Sequence, residues 1–310
     1  MTLNTEDQTR RYLIVNADDL GSSKSVNAAI AEAYDRGIVT SASLMAGGEA
    51  FDEAVQETMK RNLSLGLHVT LCDGRSVLKH GQIPDLVDSD GCFEESPVKA
   101  WIKYMKPGIL PQIEAEVAAQ FDRLEREGLK PDHVNSHHHL QMHPLIFEII
   151  CRQASKRGVS WVRIPNEPVS VVFSRHSLAR GIMPFVEKAV FGMLRSFNLK
   201  TARKYRMNVA SYSLGLAWTG SIDEKLLSEL LSCAKGRVNE IFLHPDTQTG
   251  YGRKELEALA SDSVLNRISS AGMETTGFSE LAGKGTASGS HLKRLSSEGF
   301  ELKKKRIYNF

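Results

Sequence analysis

The chain has 310 residues, 41% of them hydrophobic and 25% charged, enough apolar side chain to bury one large core at a length that single α/β barrels commonly reach. No run approaches the ~18 consecutive apolar residues of a membrane span, and the polar opening Met1 to Arg11 lacks the apolar centre of a signal peptide, so the expectation is a cytoplasmic protein. The net charge of +2 excludes little, but it is uneven: residues 169–208 carry +7 and 282–310 carry +5, leaving −10 elsewhere.

In chain order, the apolar run Tyr12-Leu13-Ile14-Val15 predicts a buried strand that ends in Asn16-Ala17-Asp18-Asp19-Leu20-Gly21. Two adjacent carboxylates leaving a strand cannot point the same way. One suits a metal and its neighbour a base. The bland alternative is a helix N-terminal cap. Val26, Ala29, Ile30, Ala33 and Tyr34 then recur at helical spacing up to Gly37, and Ile38 to Met45 reads as a strand. A helix follows over Glu49 to Arg61. The apolar strand Leu65 to Leu71 is interrupted by His68, whose ring would cost on the order of 1–3 kcal/mol if buried without a partner. A core histidine satisfied by hydrogen bonds is the simple reading, and a metal is the economical partner.

Pro84 to Phe93 reads as an inserted loop or hairpin with Asp88-Ser89-Asp90-Gly91 as its turn. Ile113, Val117, Phe121 and Leu124 mark one face of a charged helix ending at Gly128, and Pro131 to His137 enters the next strand. The run His137-His138-His139-Leu140-Gln141-Met142-His143 ends at Pro144, which starts a helix to about Gly158. If the strand continues through the run, His137 and His139 share a face; on a helix, His139 and His143 do. The spacing leaves open whether His139 or His143 replaces or joins His137 as a metal ligand.

Trp161 to Pro165 reads as a strand in which Arg163 is either a surface residue or a substrate contact. In 182–197, Ile182, Val186, Ala189, Val190, Met193, Leu194 and Phe197 follow helical spacing among basic residues, the pattern of a helix lying at a membrane interface, or of a core or dimer contact. Val209 to Leu216, a helix over Asp223 to Lys235, and a strand from Glu240 into His244-Pro245-Asp246 follow. With an unperturbed pKa near 6.5, His244 suits proton donation to a leaving group. The basic tail 282–310 reads as peripheral. The four cysteines lie too far apart for a zinc knuckle or redox motif. No aromatic platform accompanies the basic charge, so nucleic acid is not an expected partner. Strands alternating with helices, with candidate ligands at several strand ends, predict a parallel sheet closed into a distorted (β/α) barrel over 12–281, with a basic helical insertion at 169–208.

Four ordered stretches, Leu13 to Gly21, Gly37 to Met45, Gly66 to Val69 and Asn135 to Pro144, together resemble the YdjC/ChbG-like carbohydrate deacetylases over roughly Tyr12 to Leu281. The resemblance implies a distorted (β/α) barrel that removes N-acetyl groups from sugars with one divalent metal. Carried over by position, it makes Asp19, His68 and His137 the metal ligands, Asp18 the base and His244 the acid; beside these, His139 and Arg163 are the expected substrate contacts. Val162 to Pro168 and Leu214 to Gly220 look most like the branch associated with hopanoid biosynthesis, termed HpnK, thought to deacetylate an N-acetylglucosaminyl hopanoid. Imidazole and carboxylate ligands suit zinc, while magnesium is also described for the family. The resemblance implies an acetylated, lipid-linked amino sugar as substrate, while the pattern of 182–197 itself leaves open the inner face of the membrane or a homodimer. The rival readings are a chitooligosaccharide N-deacetylase, a two-metal phosphoesterase, and a non-catalytic membrane or scaffold protein.

Overall fold

Seven consecutive residues of the first strand, Tyr12 to Asp18, are buried, as a parallel strand covered on both faces requires. The structure, a computed structural model, describes residues 10–168 and 183–282, with the backbone alone over 183–191. Residues 169–182 of the expected insertion and the basic tail from 283 onward lie outside the described residues.

The strands are β1 (Arg11–Leu20), β2 (Ser41–Leu44), β3 (Ser64–Val69), β4 (His133–Ser136), β5 (Trp161–Val162), β6 (Tyr212–Leu214), β7 (Val238–Leu243) and β8 (Met273–Thr275). They form one sheet in the order β5-β4-β3-β2-β1-β7-β6, with β8 paired to the start of β1, and every ladder is parallel. Consecutive parallel strands need crossovers, and these are helices packed outside the sheet.

The crossovers carry the sequence pattern that predicts them. In α1 (Lys24–Arg36), Ala29, Ile30 and Ala33 are buried, and the Ser23 hydroxyl accepts from the Val26 N–H to cap the first turn. After α2 (Phe51–Arg61) and α3 (Pro97–Lys103), α4 (Leu110–Arg126) buries Ile113, Val117, Phe121 and Leu124, each stabilising by roughly 1.5–3 kcal/mol on removal from water. Then come α5 (Pro144–Lys156), α6 (Met183–Lys204) and α7 (Glu224–Cys233). Beyond Asp246, where the sequence reading offers no element, the chain adds α8 (Gly250–Leu259), α9 (Asp262–Ser270), β8 and α10 (Phe278–Ala282).

The predicted barrel is present as a half-barrel. Its ends, β5 and β6, approach through isolated bonds, Val162 N–H to Asn208 O at 3.0 Å and Asn166 N–H to Ser213 O at 3.1 Å. Two prolines, Pro165 and Pro168, remove donors where a longer β5 would have continued the ladder. Within the segment Val209 to Leu216 the strand is Tyr212–Leu214. The Pro84 to Phe93 insert is a hairpin-like loop with antiparallel bridges Arg75 to Cys92 and Val87 to Phe93. The four cysteines are free.

Candidate active site

Parallel strands present all their C-terminal ends on one rim, and there the chain collects Asp18 and Asp19 from β1, His68 from β3, the turn after β4, Arg163 after β5 and His244 after β7. The two aspartates are separated by a backbone irregularity. Ala17 pairs with Ala42 and Leu20 with Leu44, so β1 spends one residue more than β2 over this step, a bulge that strengthens local twist. Within it Asp19 has φ 64°, a left-handed conformation that Asp tolerates better than most residues. Asp18 therefore stays on the inward face with Asn16, while Asp19 turns to the rim, buried and half-buried respectively.

Asp18 lies in a dense polar network. Its Oδ1 accepts from Asn16 Nδ2 at 2.8 Å, Asn135 Nδ2 at 3.1 Å and Arg163 Nη2 at 3.0 Å, and its Oδ2 from Arg163 Nη1 at 2.5 Å. Arg163 Nε in turn donates to Glu240 at 2.8 Å, and Ser213 Oγ to the same carboxylate at 2.7 Å. Burial alone would raise the Asp18 carboxyl, but the Arg163 guanidinium, with smaller contributions from His68 and His244, holds it well below the usual carboxylate range. Arg163 is 3% exposed, which overturns its reading as a surface residue: its Nε and both Nη nitrogens donate to carboxylates, and the face of its guanidinium stacks 4.1 Å over the Phe242 ring.

His68 is tethered through Asn135. The amide nitrogen of Asn135 donates to Asp18 and Ser43, so its Oδ1 must accept, and His68 Nδ1 lies 2.7 Å from that oxygen. The proton sits on Nδ1, leaving a lone pair on Nε2. That lone pair faces Asp19 Oδ1 at 3.1 Å, and neither atom has a hydrogen-bond partner although both are buried. A cation held between them would satisfy both atoms. His137 brings Nδ1 to 2.9 Å from the same oxygen, and burial, which would lower its pKa, is outweighed by Asp19, which raises it. One ligand atom from each of Asp19, His68 and His137 lies within 4.8 Å of the others. The donor set, one carboxylate and two imidazoles, fits a divalent metal such as zinc.

The histidine run follows neither the strand nor the helix periodicity. The strand stops at Ser136, and His138 and His139 take left-handed φ values of 50° and 54° inside a tight turn over His137–Met142. They therefore fan out. His138 is exposed, with Nε2 2.9 Å from Asp73 Oδ2. His139 tilts against Phe242 at 5.1 Å, its pKa pushed well down by burial and then by Arg163, and its Nδ1 is unpartnered. His143 is buried against Trp101 at 4.8 Å with both ring nitrogens unpartnered. Of His137, His139 and His143, the ligand cluster includes His137.

His244 Nε2 stands 3.8 Å from Asp18 Oδ2, across from the Asp19 cluster. Its backbone N–H donates to Glu255 Oε2 at 2.6 Å, and the other Glu255 oxygen accepts from Gly220 and Ile222. Asn16, Ser43, Asn135, Glu240 and Glu255 escape the sequence reading. A charged Glu240 beside Ile241-Phe242-Leu243 in the strand Val238 to Leu243 was the available signal for a buried counter-ion to Arg163.

The family profile described as YdjC-like protein matches residues 12–270. The chain belongs to the YdjC-like family. A carbohydrate deacetylase of Brevibacillus brevis is 39% identical to this YdjC-like chain over 154 residues, 49% of this chain and 59% of that one. A chitooligosaccharide deacetylase of Escherichia fergusonii is 38% identical over 164 residues, 51% and 61% of the two. The matches thus span about three fifths of the length of these curated relatives. Among solved structures, a candidate cellobiose-phosphate cleavage protein of Enterococcus faecalis V583 superposes with TM-score 0.70 at 24% identity, covering 88% of this chain and 99% of that one, which supports the YdjC-like fold.

Proposed function

We propose that this YdjC-like protein is a metal-dependent hydrolase that removes the N-acetyl group from an N-acetylglucosamine-type sugar, releasing acetate, with an N-acetylglucosaminyl hopanoid as its substrate. The observation that carries the reading is the convergence of Asp19, His68 and His137 beside an ionised Asp18 and a partly exposed His244. The deacetylase names of relatives near 39% identity support the reaction class. The hopanoid assignment rests on Val162 to Pro168 and Leu214 to Gly220, and a chitooligosaccharide is the alternative substrate.

A divalent cation held by Asp19, His68 and His137 would supply Lewis acidity, polarising the acetamide carbonyl and acidifying a water beside it. Asp18 is kept ionised by Arg163, and its Oδ2, which carries fewer donors than Oδ1, is the oxygen that accepts the proton of the attacking water. His244, with Nε2 3.8 Å from that oxygen, protonates the departing amine so that it leaves neutral. Asn135 fixes the His68 tautomer, and Arg163 acts by holding Asp18, as a positioning residue.

Asp73, His137 and His138 also lie close enough to share an ion, the observation that favours a two-metal phosphoesterase as second reading. Mass spectrometry of an N-acetylglucosaminyl hopanoid and of a chitooligosaccharide, each incubated with metal-loaded protein, separates the readings. Loss of one acetyl mass is expected, faster from the lipid. Phosphate release from a phosphate ester without acetate release would replace the deacetylase reading.

A further inference from the structure

Among the described residues eight large apolar side chains are exposed, and six of them lie on or just beyond three helices that pack on the turn His137–Met142. Val98, Ile102 and Met105 lie on or just beyond α3, Leu145 opens α5, and Met193 and Phe197 sit one turn apart on α6; they are 39–68% exposed. These elements are joined at residues 141–143. The Trp101 ring of α3 packs on His143 at 4.8 Å, and Asn198 of α6 donates to Met142 O at 3.2 Å. Val98, Ile102 and Trp101, spaced three and four apart, share one helical face. Met193 and Phe197 belong to the helical stripe seen in the sequence, and they point outward, which excludes a core role for these two.

The charge along two of these elements is basic, with Glu94 and Glu148 at the margins pairing Lys99 at 3.9 Å and Lys204 at 2.7 Å. From Ser96 to Ile113 there are three lysines, Lys99, Lys103 and Lys106, and no acidic residue, and from Gly192 to Asn208 five basic residues and again none. Two copies packed through such a face would bring like charge against like charge, at a cost that a surface of opposite sign reverses. Aliphatic side chains flanked by long cationic ones fit an interface where the stems lie in the acyl boundary and the ammonium groups reach anionic headgroups.

We propose that α3, the start of α5 and the 193–197 turn of α6 form one docking surface for an anionic lipid bilayer. It sets the strand-end rim beside the membrane, where a sugar on a lipid can reach the His137 turn without leaving the bilayer. The surface stands on exposure and charge alone; its use in presenting substrate rests on the deacetylase reading above.

The test is co-sedimentation of the full chain with vesicles of phosphatidylcholine, with and without phosphatidylglycerol. Binding is expected to the mixed vesicles, to weaken with added salt, and to fall at least about tenfold in the double variant Ile102→Asp, Phe197→Asp, which removes two apolar side chains from the proposed bilayer contact. Met59→Asp, an exposed apolar residue on α2, should bind as the parent does. Equal binding by the double variant, no binding to anionic vesicles, or a dimer that the double variant dissolves would each overturn the proposal, the last by assigning the face to a second copy. Acetate release from a soluble chitooligosaccharide, measured on the same samples, separates the two readings. If it persists without vesicle binding, only the surface falls; if vesicles bind and no acetylated sugar is cleaved, only the deacetylase reading falls.

Discussion

Asp18 and Asp19 are neighbours whose environments set them apart: the bulge in β1 leaves one under Arg163 and turns the other toward two imidazoles. Asp18→Asn should lower turnover by ~10²-fold or more and retain the metal, whereas Asp19→Asn should lose it. Metal analysis beside acetate release checks this, and equal metal content in both variants would defeat the assignment. A pH effect follows from the same pairing. Burial opposes ionisation of Asp18 but Arg163 outweighs it, so the folded pKa is depressed. The pair then stabilises the fold fully above the unfolded value of ~3.9 and loses that contribution as pH falls toward the lower folded value. In metal-free protein, Asp18→Asn should flatten the decline of stability below pH ~4 in urea titrations; an acid limb as steep as the parent's would contradict the pairing.

At the scale of elements, three carboxylates tie loops by accepting backbone N–H groups. Glu116 of α4 holds Val77 and Leu78, Glu167 holds Gly215 and Ala217, and Glu255 of α8 holds Gly220, Ile222 and His244. Glu255→Ala would strand three donors at about 1–3 kcal/mol each where water cannot replace the acceptor. It should lower Tm and, by freeing the His244 backbone, reduce kcat by roughly tenfold with a smaller change in KM; an unchanged kcat in protein that remains folded would show that His244 needs no such anchor. These ties explain much of what the sequence conceals. Periodicity reveals α1 and α4 because local spacing encodes them, and the ligand types at strand ends mark Asp18, Asp19, His68 and the histidine run as candidates; the choice of Asp19, His68 and His137 among them is what the family resemblance implies. The fanning of the histidine turn, the shortness of β5 and the role of Glu255 depend on partners far along the chain. In Arg253-Lys254-Glu255-Leu256-Glu257 nothing distinguishes a buried carboxylate from a solvated face.

Across the whole molecule, the candidate centre joins β1, β3 and the turn after β4, so a cation there would bridge strands distant in sequence. An ion that binds the folded state alone adds about 2.7 kcal/mol at a hundredfold excess over its Kd. Zinc should therefore raise Tm in the parent and leave it unmoved in Asp19→Asn; an equal shift in both would place the ion elsewhere. The described residues contain no helix long and apolar enough to cross a membrane.

The account depends most on amide hydrolysis at the Asp19, His68 and His137 centre, and acetate release from N-acetylated amino sugar before and after chelation tests it directly. Release by the metal-loaded protein, its loss on chelation and its return on adding back the divalent ion are predicted. Acetate formation indifferent to the chelator, or none from either sugar substrate at full metal occupancy, would contradict it.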